Sequence, residues 1–315
     1  MIAVRVHRYG GPEELQLEEI GVPVTAENEA LVRVSAAGVG PWDALVRAGR
    51  SSLPESLPLT PGADIAGVVE DVADGASTLK RGDAVFGATN SSFTGGYAQY
   101  ATATLESIAP KPNSLSFVEA ASVPVVAVTA WEMLFDYAEC GAGQTVVVQG
   151  AAGNVGAFAV QLARWAGARV IAVAAARDAQ YVQSLGAAEV IDFKTERFED
   201  LITNADVVID TVGGTVQQRS FRIVKPGGII VSSVSPPSID LAHVYAVRTA
   251  FFIVRVRSEK LQKIGQLIDD GTLQTDLGIV LGLGDVRKAH EMLAGELPRP
   301  RGKIVLDTTI SGTRP

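Results

Sequence analysis

Residues 146–177 read VVVQGAAGNVGAFAVQLARWAGARVIAVAAAR. The stretch opens as an apolar run and breaks at a turn carrying Gly150, Gly153 and Gly156. It resumes with helical spacing and closes in a second apolar run that ends at Arg177. An apolar run of this length bounded by glycines suits a strand buried on both faces. Val155, Ala159, Leu162 and Ala166 recur at helical spacing and supply one buried stripe. Strand, glycine turn, helix and a second strand about 20 residues on form the arrangement that binds a dinucleotide. A backbone bearing only hydrogens lets a pyrophosphate come close, and the helix start offers N–H groups and partial positive charge. The third glycine lets the helix lie tightly on the strand. A plain strand–helix turn can carry the same three glycines, so the weight falls on the flanking strands.

The end of the second run bears on the choice of nucleotide. NAD-preferring folds place an Asp or Glu there to take the ribose hydroxyls. From Ala157 to Arg177 there is no acidic residue. A carboxylate would repel a 2′-phosphate, whereas Arg177 could pair with one. The expected cofactor is therefore NADPH (NADP+). Its candidate contacts here are Gly150, Ala151, Gly153, Asn154, Val155, Gly156, Ala175 and Arg177, with Asp178 expected to N-cap the next helix.

The 315 residues are enough for one large or two ordinary domains. Before about residue 120 the chain reads as short strands and turns, with strands expected at Leu31–Ser35, Asp64–Val72 and Asp83–Phe86. Residues 116–135 are helix-compatible with a break at Pro124. Beyond Gly143, apolar runs alternate with helices. Strands are expected at Thr145–Gln149, Arg169–Ala174, Val190–Phe193, Asp206–Asp210, Ile229–Ser233 and Phe251–Val254; helices are expected at Asn154–Ala166 and Asp178–Leu185. That alternation implies a doubly wound parallel sheet. Ser258–Asp269 reads as an amphipathic helix, and GKIVLD near the end as another strand, with a return of the chain to the first lobe left open by pattern alone.

Composition excludes several classes. Asp plus Glu is 35 against 27 Lys plus Arg, and this acidic balance argues against a nucleic-acid partner. A single cysteine, Cys140, rules out an internal disulfide framework and any multi-cysteine zinc site. No stretch approaches a membrane span, and the first residues lack the apolar core of a signal peptide. A cytoplasmic protein with no membrane partner is the expectation.

Beyond these local readings, GAAGNVG preceded by VVAVTAWEML resembles the medium-chain dehydrogenase/reductase superfamily, in particular its zinc-free quinone oxidoreductase (zeta-crystallin-like) branch. The likeness continues through AAGVGPWD (Ala36–Asp43), LPLTPGADIAGVVEDV (Leu57–Val72), RGDAVFG (Arg81–Gly87), GGYAQYA (Gly95–Ala101), DTVGG (Asp210–Gly214), KPGGIIVSS (Lys225–Ser233), KAHEML (Lys288–Leu293) and RGKIVL (Arg301–Leu306). The resemblance implies a Rossmann sheet inserted into a GroES-like, β-rich catalytic domain. The implied parts are 1–124 (GroES-like), 125–255 (Rossmann, NADP(H)-binding) and 256–315 (returning to the catalytic domain). It also implies a homodimer or homotetramer, with Phe251–Val254 on the joining strand.

Zinc-bearing relatives keep a Cys after the AAGV stretch and a His after the Pro-Gly turn. Here Trp42 or its neighbours and Ala63 hold those places, and His7, His243 and His290 are scattered. No metal site is expected, and His290 is read as structural. Many relatives carry Asn-Pro-x-Asp where this chain has Gly40, Pro41, Trp42 and Asp43. The asparagine is lost and an aromatic ring precedes the aspartate. Trp42 either walls a flat substrate or packs beneath the loop; Asp43 either orders the loop or moves protons. Thr129 faces the nicotinamide by resemblance, or else bonds its own helix backbone. Phe193 could stack on adenine or pack in the core. Ser232, Val234 and Phe251 are further cofactor candidates, and Lys303 either assists from the tail or is a surface lysine. Cys140 is read as inert.

The implied activity is zinc-independent, NADPH-dependent hydride transfer to a small hydrophobic electrophile, a quinone or an α,β-unsaturated carbonyl. An enoyl-thioester reductase and a non-catalytic NADPH-binding structural or regulatory protein are the alternatives.

Overall fold

The computed structural model describes residues 1–53, 56–73 and 78–310. The chain divides into two compact units. One comprises Met1–Val125, Val256–Gly271 and the residues from Thr275 onward; the other comprises Val126–Arg255 with Thr272–Gln274.

The first unit is mostly antiparallel. β1 (Ile2–Arg5) pairs with β2 (Gln16–Glu19). β3 (Glu29–Val39), β4 (Asp64–Val72), β5 (Ala84–Ala88), β6 (Tyr100–Thr104) and β7 (Ile108–Pro110) belong to a larger sheet. β3 begins with the two-residue alternation of a half-buried strand: Ala30, Val32 and Val34 are buried, and Arg33 faces solvent. From Ala36 both faces are covered. Val32, Val34, Ile65, Val69 and Val85 centre its core.

The second unit holds a parallel six-stranded sheet. Its strands are β8 (Thr145–Gln149), β9 (Arg169–Ala174), β10 (Glu189–Asp192), β11 (Ala205–Asp210), β12 (Val224–Ser232) and β13 (Arg248–Phe251), in the order β10-β9-β8-β11-β12-β13. This is the doubly wound Rossmann order, in which the direction of winding reverses between the first strand and the fourth. Val147, Ile171, Val208 and Ile230 from four adjacent strands pack into its own core with Phe221. The chain then re-enters the first unit. β14 (Leu277–Gly282) runs parallel to β15 (Lys303–Asp307), and β15 pairs antiparallel with β3, Ile304 opposite Val39. Backbone pairing thus closes a return that apolar pattern left open. Among the described residues no helix is long and apolar enough to cross a membrane.

Two elements differ from the sequence expectation, and a third breaks at Pro124 as expected but ends in a π-helical turn. The sixth strand is Arg248–Phe251, three residues earlier than the apolar run 251–254 suggests. An edge strand is covered from one side only, so pairing with β12 rather than apolar content sets its limits. Residues 116–135 split into helices Phe117–Ala120 and Pro124–Trp131, followed by a π-helical turn, Glu132–Tyr137. The helix expected from Asp178 starts as a 3-10 turn at Ala176, and Asp178 makes no side-chain cap.

The helix after β8, Asn154–Trp165, sits hard against the turn before it. A Cβ on Gly156 would lie 2.3 Å from the Gly150 carbonyl oxygen. Alanine gains at most about 1 kcal/mol over glycine inside a helix, whereas overpacking costs about 1–3 kcal/mol. Gly156→Ala is therefore expected to lower stability by about 1–2 kcal/mol in urea denaturation. An increase in stability would show that the turn does not hold the helix this tightly.

Candidate functional site

The register of the parallel sheet brings the glycine turn and most of the other candidates to one edge. Gln149 pairs with Val173 on one side and Asp210 on the other. Ala174 lies opposite Asp192, Asp210 opposite Ser232, and Ser232 opposite Phe251. One row across six strands therefore delivers Gly150, Ala175–Arg177, Phe193, Thr211, Ser233 and Phe251 to the carboxyl end of the sheet. Open α/β sheets bind ligands there, at the point where the winding reverses.

Gly150 has φ +71°, a left-handed conformation that favours glycine. Ala151 donates its N–H to the Val173 carbonyl at 3.1 Å, and Gly153 donates to Gly150 at 2.9 Å. The Thr211 hydroxyl donates to the Gln149 carbonyl at 2.7 Å, tying this turn to the loop after β11. Gly153 occupies the N-cap of the helix in extended conformation and offers no side-chain cap. The first N–H groups of any helix lack intrahelical partners. This turn presents them with no side chain in front, as a phosphate site requires.

Around the turn the candidates differ in exposure. Arg177 is largely solvent-exposed at 82%, with Nε 3.5 Å from the Asp178 carboxylate. Phe193 is exposed, which removes core packing as its role. Val234 and Phe251 are half-exposed, while Ser232, Ala151, Ala175 and Thr129 are buried. The Ser232 hydroxyl accepts N–H bonds from Val234 at 3.2 Å and Ser235 at 3.3 Å, so it shapes the loop after β12.

The first unit contains a separate buried polar cluster, in the helix that starts at Pro41 and its surroundings. Asp43 is fully buried; its Oδ2 accepts the Gly40 N–H at 2.7 Å and the Tyr97 hydroxyl at 2.8 Å. Its other oxygen, Oδ1, is buried without a hydrogen-bond partner. Of the two readings of Asp43, this geometry supports the ordering one: the carboxyl caps its own helix and has no exposed surface. The surface reading of Lys303 is corrected. It is 1% exposed and pairs with buried Asp64 at 2.8 Å, so it is no surface lysine. Asp64 also accepts the Val125 N–H at 2.8 Å.

The Lys303 ammonium lies 4.4 Å from the centre of the Trp42 ring. Trp42 in turn explains Gly40. The backbone there is extended and unstrained, but a Cβ on Gly40 would fall 2.3–2.5 Å from the indole. The ring and a side chain at position 40 exclude each other. His290 is wholly buried; Arg47 donates to its Nδ1 at 2.9 Å, which puts the imidazole proton on Nε2.

Residues 26–113 match the family described as alcohol dehydrogenase GroES-like domain, and residues 185–306 match zinc-binding dehydrogenase. The quinone oxidoreductase of Pongo abelii is 34% identical over 92% of this chain and 93% of its own length. The quinone oxidoreductase structure from Coxiella burnetii superposes with a TM-score of 0.90 at 31% identity, covering 98% of this chain and 99% of that one. The Escherichia coli quinone oxidoreductase complexed with NADPH superposes with a TM-score of 0.86 at 26% identity, covering 97% and 100%. The chain belongs to the medium-chain dehydrogenase/reductase superfamily, in its quinone oxidoreductase branch. As a member of that branch it is an oxidoreductase.

Several residues of this oxidoreductase escaped the sequence reading. Tyr97, Asp64 and Asp210 all lie in motifs that carry the resemblance, yet composition gives no hint that they, or the candidate Lys303, are wholly buried. A lysine or aspartate one step from an apolar run reads as a strand end until the tertiary partner is known. Gln217, outside those motifs, had no signal at all. Cys140 is buried, and that burial pushes its thiol up to about 11, as an inert cysteine requires.

The cluster around Asp43 makes stability depend on pH in two opposing ways. Burial raises the Asp43 carboxyl to about 7, against the Gly40, Tyr97 and Lys303 contacts that lower it. The folded state then resists its ionisation, so this group favours folding as pH falls from about 7 toward 4. Burial, with the Arg47 charge, lowers His290 to about 3. The folded state resists its protonation, so this group costs stability as pH falls from about 6.5 toward 3. Each displacement corresponds to on the order of 4 kcal/mol, and the two nearly cancel between about pH 4 and 6.5. An asparagine oxygen can still accept from Gly40 and Tyr97. Asp43→Asn should therefore fold, and its unfolding free energy should drop steeply below about pH 6.5 where the parent's is nearly flat. Superimposable pH profiles would refute this account of the pair.

Proposed function

We propose that this oxidoreductase uses NADPH to reduce a quinone or an α,β-unsaturated carbonyl and needs no zinc. The observation that carries the reading is one edge of one sheet. There a bare turn at a helix start shares a register row with Ala175–Arg177, where an exposed guanidinium follows a strand that ends without a carboxylate. The NADPH complex of the Escherichia coli relative supports the same choice of nucleotide.

The residues present fit that group. The Gly150–Gly156 turn would hold the pyrophosphate on backbone N–H groups, Arg177 the 2′-phosphate, and Phe193 the adenine face. Thr129, Ser232, Val234 and Phe251 are the candidates toward the nicotinamide end. When bound, NADPH supplies the hydride. The protein's part is to bind, orient and exclude water, and orientation alone can remove several kcal/mol of barrier. Trp42 gives a rigid apolar face suited to a flat electrophile. Zinc independence is supported by Trp42 and Ala63 standing where zinc-bearing relatives keep ligands. Among the described residues, no three His, Cys, Asp or Glu side chains gather as a metal site. The reading includes a cytoplasmic homodimer or homotetramer, since β13 leaves one sheet edge unpaired among the described residues.

Fluorescence titration with NADPH, followed by loss of reduced-nicotinamide absorbance with a quinone, an enone and an enoyl thioester, tests the reading. Turnover of the quinone or enone is expected; turnover of the thioester alone would favour a thioester reductase. Tight binding without turnover of any would point to a non-catalytic NADPH-binding protein. A charge-assisted hydrogen bond contributes about 1.5–3 kcal/mol. Arg177→Ala should accordingly weaken NADPH by about tenfold or more and leave NADH nearly unchanged, measured as Kd. Equal losses for both nucleotides would remove the basis for the NADPH assignment.

A further inference from the structure

Two loops leave the carboxyl edge of the sheet side by side, Thr211–Gly213 after β11 and Ser233–Ser235 after β12. Each is anchored from below. Asp210 is fully buried, and its Oδ1 accepts N–H bonds from Val212 at 3.1 Å and Gly213 at 2.8 Å. Gln217, 5% exposed on the helix Gly214–Ser220, sends its side-chain amide to both loops: to Asp210 Oδ2 at 2.9 Å and to the Ser235 carbonyl at 2.9 Å. Both hydrogens of one Nε2 are thereby committed, one to the end of β11 and one to the loop after β12. Thr211 extends the tie to the Gln149 carbonyl, next to the glycine turn.

We propose that Gln217 is a positioning residue for the nucleotide site: its buried amide fixes the spacing of the loops after β11 and β12, and through Asp210 and Thr211 their placement relative to the glycine turn. This deepens the NADPH reading above and rests on it. Gln217 itself has almost no exposed surface. It acts through the backbone of Val212, Gly213 and Ser235, with half-exposed Val212 and Val234 riding on those loops. A carboxamide is required because both partners are acceptors. Glutamate would set a carboxylate against Asp210 and a carbonyl, and methionine would fill the space but donate nothing.

NADPH affinity, KM for NADPH, kcat at saturating NADPH and Tm are compared for four proteins and a control. They are the parent, Gln217→Met, Gln217→Glu, and the double variant Asp210→Asn with Gln217→Glu. Asp206→Ala is the control, since the Asp206 carboxylate also joins two segments, accepting the Thr145 N–H at 2.7 Å and pairing with Lys225, at the opposite, amino end of the sheet. Gln217→Met is expected to raise Kd and KM for NADPH about tenfold with kcat within about twofold. Gln217→Glu should be worse, and the double variant should recover much of its loss, because the new amide donates to the new carboxylate. The control should lower Tm comparably while leaving Kd within about twofold of the parent. Should Gln217→Glu fail to fold, Gln217→Met against the control decides. The proposal is overturned if Gln217→Met binds NADPH as the parent does, or loses no more affinity than the control. Failure of the parent itself to bind NADPH would overturn the nucleotide reading and this inference together, whereas parent binding with an unaffected variant overturns this inference alone.

Discussion

The second unit is organised by one close approach of backbone to backbone. The Gly150 carbonyl and the Cα of Gly156 meet at a distance that leaves no room for a methyl group. That contact seats a twelve-residue helix directly on the end of the first parallel strand. The helix start, with its unpaired N–H groups, is thereby fixed at the reversal of strand order. Left-handed Gly150 makes the turn possible, and the Thr211 hydroxyl locks it from the neighbouring loop. A nucleotide site on this edge depends on that packing, because a side chain at either position would push the helix away or fill the cradle.

The first unit solves a different problem, the burial of charge. Taking a lysine and a carboxylate out of water is costly unless each is fully engaged. Lys303 and Asp64 satisfy this by pairing with each other, with Asp64 also taking a backbone N–H and Lys303 facing the Trp42 ring. The pair joins β15, from the end of the chain, to β4 near its start. Beside it, Asp43 and Tyr97 hold the turn that carries Trp42. The charged residues here order the fold around an apolar ring, the one proposed above to face a flat substrate. This agrees with a reaction in which the cofactor carries the chemistry and the protein contributes shape.

The glycine at position 40 shows how a local departure can be read only in three dimensions. In the sequence it is an asparagine lost from a family pattern. In the fold it is the space that Trp42 occupies, since the indole lies over the Gly40 Cα. A side chain at position 40 and the indole at position 42 would occupy the same space. Lys303 shows the converse: a charged residue in a strand motif gives no sign of being buried until its partner, 239 positions away, is located.

The sequence alone determined the Rossmann alternation, the glycine turn, the missing carboxylate before Arg177 and the family. All of these are local patterns of period, size and charge, and local patterns survive being read one residue at a time. The sixth strand was misplaced by three residues because its limits come from pairing with β12. Only the tertiary structure decided that the tail pairs with β3, that Asp43 and Lys303 are buried structural charges, and that Gln217 spans two loops. Each of those facts is a partnership between distant segments, and a hydrogen bond or ion pair exists only when the fold has brought both ends together.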